Sequence, residues 1–151
     1  MEDKAPSKHL ITKKAPPEGH MALDKKLLRN GPYADFFSQG VQVGNTLHMA
    51  GQVGTDATGQ APESLVEQMK LAYQHIESVL QAFGCTMDNI VEETWFVTDM
   101  HECMSQVTEL FSARQALYGK PPEVAQTLVQ VVALVDPSMK IEIKCVAMKD
   151  D

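Results

Sequence analysis

Two stretches of the chain repeat apolar residues at intervals of three and four, the spacing of an amphipathic helix. In the first, from residue 65 to 83, the polar residues fall largely off the apolar stripe, and Gly84 is placed to end the helix. In the second, Asp99 is a capping residue and Gly119 marks the end. The stripes consist of Leu65, Met69, Ala72, Ile76, Val79, Leu80 and Phe83, and of Met100, Met104, Val107, Phe111 and Leu117. The sequence therefore predicts two amphipathic helices.

Strands are predicted before, between and after these helices. Gly44-Asn45 is a tight-turn signal between runs 38–43 and 46–50, which predicts a β-hairpin, and 55–60 follows as a polar turn. Runs rich in β-branched residues predict three more strands over 90–98, 125–134 and 140–148. The order β-β-α-β-α-β-β predicts an α+β domain with one mixed sheet and two helices on one face.

Alternation along the last two strands predicts a sheet with unlike faces. Ile141, Ile143 and Cys145 point one way, while Glu142 and Lys144 point the other. In the preceding strand, we expect Val129 and Val131 on the apolar face and Gln126, Leu128 and Gln130 on the polar one. A polar sheet face is either solvent-exposed or enclosed by a neighbouring subunit, and periodicity alone leaves both alternatives open.

The first 30 residues lack a sustained period and contain three prolines and scattered lysines. We expect residues 1–30 to form an extension, partly disordered or laid across the surface, with order beginning near Phe36 and one domain over 31–151. The first 29 residues hold seven of the 13 Lys and Arg, and the net charge of −7 leaves the rest of the chain strongly acidic. That acidity disfavours nucleic-acid binding.

Composition narrows the classes of protein to which the chain can belong. No apolar run reaches the length of a membrane span, and the N-terminus lacks a secretory pattern, so a cytoplasmic protein without a membrane partner is expected. Three cysteines without a CxxC pair favour reduced thiols, and the five histidines have no metal-ligand spacing, so no metal site is predicted. His75 is assigned to the first helix without a functional role.

A series of short motifs in a particular order resembles the RidA (YjgF-type) family. They are Phe37-Ser38-Gln39-Gly40-Val41, Val43-Gly44-Asn45-Thr46, Ala50-Gly51-Gln52, Glu67-Gln68, Ile90-Val91, Phe96-Val97-Thr98-Asp99 and Lys140-Ile141-Glu142-Ile143. The resemblance implies a chorismate-mutase-like fold assembled as a homotrimer with a central barrel and small-molecule clefts between subunits. It also implies cofactor-independent hydrolysis of imines and enamines, and a small anionic or carboxylate metabolite as the ligand.

The family's site residues are altered at several matching positions. The family arginine that would clamp a substrate carboxylate falls on Gln126, or on Thr127 in an alternative register, and a family glutamate becomes Lys144. Gln126 and Lys144 are therefore the candidate catalytic residues. The family tyrosine becomes Phe37, although Tyr33 stands four residues earlier in a Gly-Pro-Tyr triplet. The candidate ligand-binding residues are Phe37, Ala50, Gly51 and Leu128.

These substitutions leave three hypotheses for function. The first is a RidA-family protein with clefts between subunits but without standard imine deaminase activity. The second is an active imine or enamine deaminase with a rearranged site. The third is a non-catalytic interaction protein whose clefts are vestigial. Loss of the arginine removes charge-assisted hydrogen bonds worth about 1.5–3 kcal/mol each, which favours the first hypothesis.

Overall fold

A computed structural model describes residues 10–12, 18–19 and 22–151 of the chain. Eight strands of the described residues form one mixed sheet, and three α-helices accompany it. The strands are β1 (Leu10–Thr12), β2 (Lys26–Leu28), β3 (Gly40–Val43), β4 (Thr46–Met49), β5 (Gln52–Val53), β6 (Ile90–Val97), β7 (Ala125–Gln130) and β8 (Ile141–Met148). The helices are α1 (Leu65–Ala82), α2 (Met100–Ser105) and α3 (Val107–Tyr118).

The sheet is organised around its last strand. The strand order is β1-β2-β3-β4-β8-β6-β7, and β5 also pairs with β8. All the pairings are antiparallel except that of β6 with β7, which is parallel because α2 and α3 return the chain across the sheet. The predicted mixed α+β sheet is confirmed, and so is the hairpin, in which Gly44 has a φ of +57° that its lack of a Cβ permits.

The first predicted helix is confirmed, but the second is two helices. The Ser64 Oγ accepts a hydrogen bond from the Glu67 N–H at the start of α1. In the second stretch the backbone leaves helical geometry at Gln106, between α2 and α3. The Ser105 hydroxyl donates to the Glu102 carbonyl, a side-chain bond that competes with helix continuation. The prediction of two helices was wrong. The stripe of apolar residues continues across the break at Gln106, so the sequence pattern did not reveal it.

The sheet begins earlier in the chain than the sequence predicted. Strand β2 pairs with β3, and β1 pairs with β2. Leu27 and Leu28 are buried, and Leu28 is only 1% exposed within the main core. Leu28 packs β2 onto the core, so order near Phe36 was too late a prediction.

Strand β7 is shorter than predicted and its faces are reversed. It ends at Gln130, and its parallel register places Leu128 beside Trp95 on the helix-covered side, whereas Val129 is exposed. Apolar residues occur at both odd-numbered and even-numbered positions of this segment, so alternation alone did not determine which face is buried. The register with β6 determines it, and the assignment of Val129 and Val131 to the apolar face was wrong.

The core lies between the helices and the inner face of β6 and β8. Ile141, Ile143 and Cys145 are almost fully buried there, as the alternation of β8 predicted. Trp95 and Tyr73 are the largest fully buried side chains. Within the described part of the chain, no helix has the length and apolar character needed to cross a membrane.

We predict that Leu28→Ala lowers the free energy of unfolding by about 2–5 kcal/mol, because it leaves a cavity under β2. Leu23→Ala is the matched control, since Leu23 is 65% exposed and its truncation removes little buried surface. Urea unfolding followed by circular dichroism measures both variants. Equal losses in the two variants would contradict the place of β2 in the core.

Candidate functional site

A cavity of about 470 Å³ opens beside β5 and the turn that precedes β3. Its volume falls in the range of about 300–1,000 Å³ that small-molecule sites occupy. The described residues that line it are Gly31, Pro32, Tyr33, Phe37, Gln39, Gly51, Gln52, Val53, Thr55, His75, Val135 and Glu142. Two of the predicted ligand-binding residues, Phe37 and Gly51, are therefore brought together here.

Glu142 supplies the carboxylate of the cavity. It lies on the outward face of β8 and is half-buried, and its side chain accepts no hydrogen bond from the described residues. Burial raises the pKa of the Glu142 carboxyl above its usual value. A Cβ at position 51 would lie 1.9 Å from Glu142 Oε1. The absence of a side chain at Gly51 therefore leaves room for the Glu142 carboxylate.

Two aromatic rings form one wall of the cavity. Tyr33 and Phe37 stack with centroids 5.6 Å apart and an interplanar angle of 16°. In the sequence, Phe37 matches the family tyrosine, and Tyr33, four residues earlier, was not predicted to be a site residue. Both line the cavity, because the turn over 31–37 brings the earlier ring alongside the later one.

Side-chain amides connect β5 to the residues before β3. Gln52 Nε2 donates to Gln39 Oε1 at 2.8 Å and to the Ala50 carbonyl at 3.1 Å. The Ala50 N–H in turn donates to the Gln39 carbonyl. Ala50, a predicted ligand-binding residue, therefore supports the site through its backbone and is not among the residues that line the cavity.

Helix α1 contributes one lining residue and anchors the strand that carries Glu142. His75 Nε2 lies 2.9 Å from the Thr55 carbonyl, which only accepts, so this nitrogen carries the hydrogen. Gln68, fully buried on α1, donates to the Ser138 carbonyl and accepts from the Lys140 N–H at the start of β8. These bonds set the position of β8 relative to the helix.

Gln126 lies elsewhere, in a polar network under the helices. Its Nε2 donates at 3.1 Å to Oε1 of Glu93, a carboxylate on β6 that is fully buried. Arg114 of α3 pairs with the same oxygen through Nε and Nη2. Tyr73 and Tyr118 donate their hydroxyls to Oε2 at 2.6 and 2.9 Å. The Glu93 carboxylate thus has donors on both oxygens, as a buried charge requires.

Within the network, the charge of Glu93 is balanced by that of Arg114. Burial by itself lowers the Arg114 pKa, but the adjacent Glu93 carboxylate outweighs it and leaves that pKa raised. Burial and the same carboxylate raise the pKa of both Tyr73 and Tyr118, so the phenols stay protonated and act as donors. The Arg114 guanidinium also lies 5.5 and 5.4 Å from the ring centres of Phe111 and Tyr118.

The two candidate catalytic residues do not meet within one chain. Gln126 is aligned across the sheet with Glu93, on the face that the helices cover. Lys144 is aligned with Thr94, one position further along, so its side chain emerges on the opposite face and is exposed. Thr127, the alternative to Gln126, is aligned with Thr94 in the same way as Lys144. Leu128 packs against the core, away from the cavity.

Sequence reasoning missed Glu142, Tyr33 and His75 as cavity residues and the Glu93–Arg114 pair as a buried network. The alternation of β8 had already placed Glu142 on the polar face, and this placement could have identified it as a candidate site residue. Glu93 carried a weaker signal, as a carboxylate within a run of β-branched and aromatic residues. Nothing in the sequence indicated that Arg114 would reach it, since they lie on elements separated by a chain reversal.

We predict that Arg114→Leu lowers the free energy of unfolding by about 3–5 kcal/mol, because Glu93 is left buried without its counter-charge. The double variant Glu93→Gln, Arg114→Leu should recover part of this loss, since no unpaired charge remains. Lys120→Leu is the control, because its pair with Asp88 is exposed and worth about 1 kcal/mol or less. Urea titration compares the three proteins, and equal losses for Arg114→Leu and Lys120→Leu would contradict the network's importance.

Comparison with known proteins places the chain in a family. The sequence profile of the Endoribonuclease L-PSP family matches residues 29–149. The 2-iminobutanoate/2-iminopropanoate deaminase of Mus musculus is 36% identical over 121 residues, covering 79% of this chain and 82% of the mouse protein. The RutC family protein YjgH of Escherichia coli K12 is 30% identical over 120 residues, covering 79% and 88% of the two chains.

A solved structure of protein YjgH superposes on the chain with a TM-score of 0.69 and 28% sequence identity. The superposition covers 82% of this chain and 92% of the other. The family profile, the curated relatives and the fold agree over the same region. The chain belongs to the Endoribonuclease L-PSP family, which is the RidA (YjgF-type) family that its motifs indicated.

Proposed function

We propose that this protein is a cofactor-independent hydrolase of imines or enamines whose proton-transfer group is Glu142. The observation that carries the proposal is a half-buried carboxylate, free of hydrogen-bond donors from the described residues, in a cavity with an aromatic wall. Adding water to a C=N carbon requires a base for the water proton and then an acid for the leaving nitrogen. A single carboxyl group does both in turn when its pKa is raised, as burial does here.

The remaining cavity residues suit small, partly apolar molecules. Phe37 and Tyr33 supply a ring surface, while Gln52 and Thr55 supply polar groups. The mouse relative carries the name of an imine deaminase, which supports the reaction class for this chain. Standard 2-iminoacid deaminase activity is expected to be weak, because the residue matched to the carboxylate-binding arginine is Gln126, or Thr127 in the alternative register, and neither carries a positive charge.

We predict that Glu142→Gln lowers kcat/KM for imine hydrolysis by about 10²–10⁴-fold, the usual contribution of a positioned acid–base group. The assay follows pyruvate release from enzymatically generated 2-aminoacrylate, and ketone release from the acetophenone ketiminium salt. Glu92→Gln is the matched control, since Glu92 is an exposed carboxylate of β6 outside the cavity. If neither substrate is hydrolysed faster with the wild-type protein than in buffer, the proposed function fails.

Assembly as a homotrimer is part of the proposal. In one chain the outward face of the sheet is open and carries the apolar Val129, partly exposed Phe96 and exposed Lys144. The Gln126–Leu128 edge of β7 and the cavity near Gly51 lie in different places on one chain. A cleft between two subunits is an arrangement that brings such an edge and such a cavity together.

We expect sedimentation equilibrium to give a mass three times that of one chain. Val129→Lys should shift the protein towards the monomer, because a charge would be buried in the subunit contact. Gln74→Lys is the control, since Gln74 is an exposed residue of α1, which lies on the opposite side of the sheet from Val129. A monomeric wild-type protein would remove the shared cleft.

A further inference from the structure

The Gln68 side chain, near the start of α1, is fully buried and both hydrogens of its amide are bonded. Nε2 donates to the Pro62 carbonyl at 2.7 Å and to the Ser138 carbonyl at 2.9 Å, while Oε1 accepts from the Lys140 N–H at 2.8 Å. Reversing the amide would place Oε1 against two carbonyl oxygens, which only accept. The three contacts therefore allow a single orientation of the Gln68 amide.

The bond from Lys140 lies where β8 begins, two residues before Glu142. The Lys140 carbonyl accepts from the Thr98 N–H just after β6, and the Lys140 N–H donates to Gln68. Both backbone polar groups of Lys140 are thus satisfied, and leaving one of them without a partner would cost free energy. A displacement of Lys140 would be carried to Glu142, because only one residue separates them.

On the side of β8 away from β6, the neighbouring strand at Glu142 is short. Strand β5 has two residues, and Val53 is aligned with Glu142. Strand β4 pairs with β8 only at the far end, over residues 146–148. A Cβ on Gly54 would lie 2.0 Å from the Gln68 carbonyl oxygen, so the helix backbone packs directly on the end of β5. Gln68 therefore contacts the β5 side through its backbone and the β8 side through its amide.

A second residue of α1 bonds to the same part of the sheet. His75 lies seven residues after Gln68, which places both on one face of the helix. Its Nε2 donates to the carbonyl of Thr55, two residues beyond β5. Helix α1 thus bonds to the segment after β5 through one residue and to the start of β8 through the other.

We propose that Gln68 is a positioning residue for the hydrolysis: it fixes the start of β8 against α1 and β5 and so holds the Glu142 carboxylate in place. This inference rests on the proposed function, because Gln68 acts through Glu142. Gln68 is not among the described residues that line the cavity, so it is not assigned contact with the substrate. Its bonds lie inside one chain, and they are the same whatever groups a second subunit adds to the cleft.

Gln68→Met keeps the approximate volume of the side chain and removes its hydrogen bonds. We expect kcat to fall at least about tenfold with KM changed less than about twofold, because a misplacement of about 1 Å costs up to about 10²-fold in rate. The assay uses the full-length protein, the faster of the two hydrolysis substrates and a temperature well below unfolding. An unchanged kcat would overturn the inference.

Leu80→Ala is the matched control for a loss of stability alone. Leu80 is fully buried and lies 12 residues further along α1, about 18 Å from Gln68. Its truncation leaves a cavity in the core but none of the bonds to β8 is lost. We expect Leu80→Ala to keep the wild-type kcat, and equal losses of kcat in Leu80→Ala and Gln68→Met would contradict a positioning role.

The coupling between Gln68 and Glu142 gives a second readout. Gln68→Met is also made in the Glu142→Gln protein, where the carboxylate to be positioned is absent. We expect the added substitution to lower kcat there by less than about twofold, because two residues that act through one group have non-additive effects. The same fold-loss in both backgrounds would overturn the inference.

Gln68→Asn replaces Gln68→Met in these assays if the latter does not fold. It keeps an amide but shortens its reach by one methylene, so the bonds to Pro62, Ser138 and Lys140 cannot all be made. We expect a loss of kcat of about three- to tenfold. Wild-type kcat in a folded Gln68→Asn protein would count against the inference.

The titration of Glu142 tests the positioning role without turnover. Carbon-13 NMR of the side-chain carboxyls follows this group, and its signal is assigned by its absence in Glu142→Gln. Burial raises the Glu142 pKa, so a carboxylate displaced towards solvent titrates closer to its usual range. We expect this fall in Gln68→Met and not in Leu80→Ala. The other titratable groups of the described lining and of the same face of β8 are common to these proteins: Tyr33, His75 and Lys144.

The outcomes separate this inference from the proposed function. If the wild-type protein hydrolyses neither substrate faster than buffer does, the proposed function fails, and the Glu142 titration alone decides whether Gln68 positions the carboxylate. If hydrolysis depends on Glu142 but the Glu142 titration is the same in the wild-type protein and in Gln68→Met, the function stands and the inference is overturned.

Discussion

The alternation of side chains along β8 is the constraint on which the rest of the structure depends. This strand pairs with β4, β5 and β6, so its two faces define the two sides of the sheet at its centre. Ile141 and Ile143 enter the core beneath the helices, and Glu142 between them must therefore point outward. The buried neighbours of Glu142 hold its backbone in place, so its side chain extends into the cavity from a fixed position.

Two carboxylates of the sheet have opposite environments. Glu93 is fully buried and receives donors on both oxygens from Arg114, two tyrosines and Gln126. Glu142 is half-buried and receives no donor from the residues that the structure describes. A satisfied buried charge contributes to a specific core, whereas a partly desolvated carboxylate without partners remains available for chemistry. The group that we propose as reactive is thus the carboxylate that receives no donor from the described residues.

The environment of Gln126 shows why family membership does not by itself define the reaction. The chain has the family fold over residues 29–149, yet the side chain at this position bonds to a buried carboxylate and carries no positive charge. Function depends on the groups placed at the site and not on the fold that carries them. Here the cavity keeps a carboxylate and an aromatic wall, and that combination guides the proposed chemistry.

Local patterns were enough to predict most of the elements. The hairpin at Gly44, helix α1 with its stop at Gly84, strand β6 and the parity of β8 depend on turn residues and on spacing along the chain. These signals act between near neighbours, and the structure confirms them. The family motifs, spread along the chain, also predicted the overall fold correctly.

Other features were decided only by tertiary contacts. The buried face of β7 depends on its register with β6, and the position of β2 near the edge of the sheet depends on the packing of Leu28 in the core. The Glu93–Arg114 pair and the joint use of Tyr33 and Phe37 require separate segments to meet. The sequence alone determined the hairpin, helix α1, strand β6 and the parity of β8, because the patterns that specify them are local. The tertiary structure decided which polar groups are neutralised and which remain free, because that depends on contacts between distant residues.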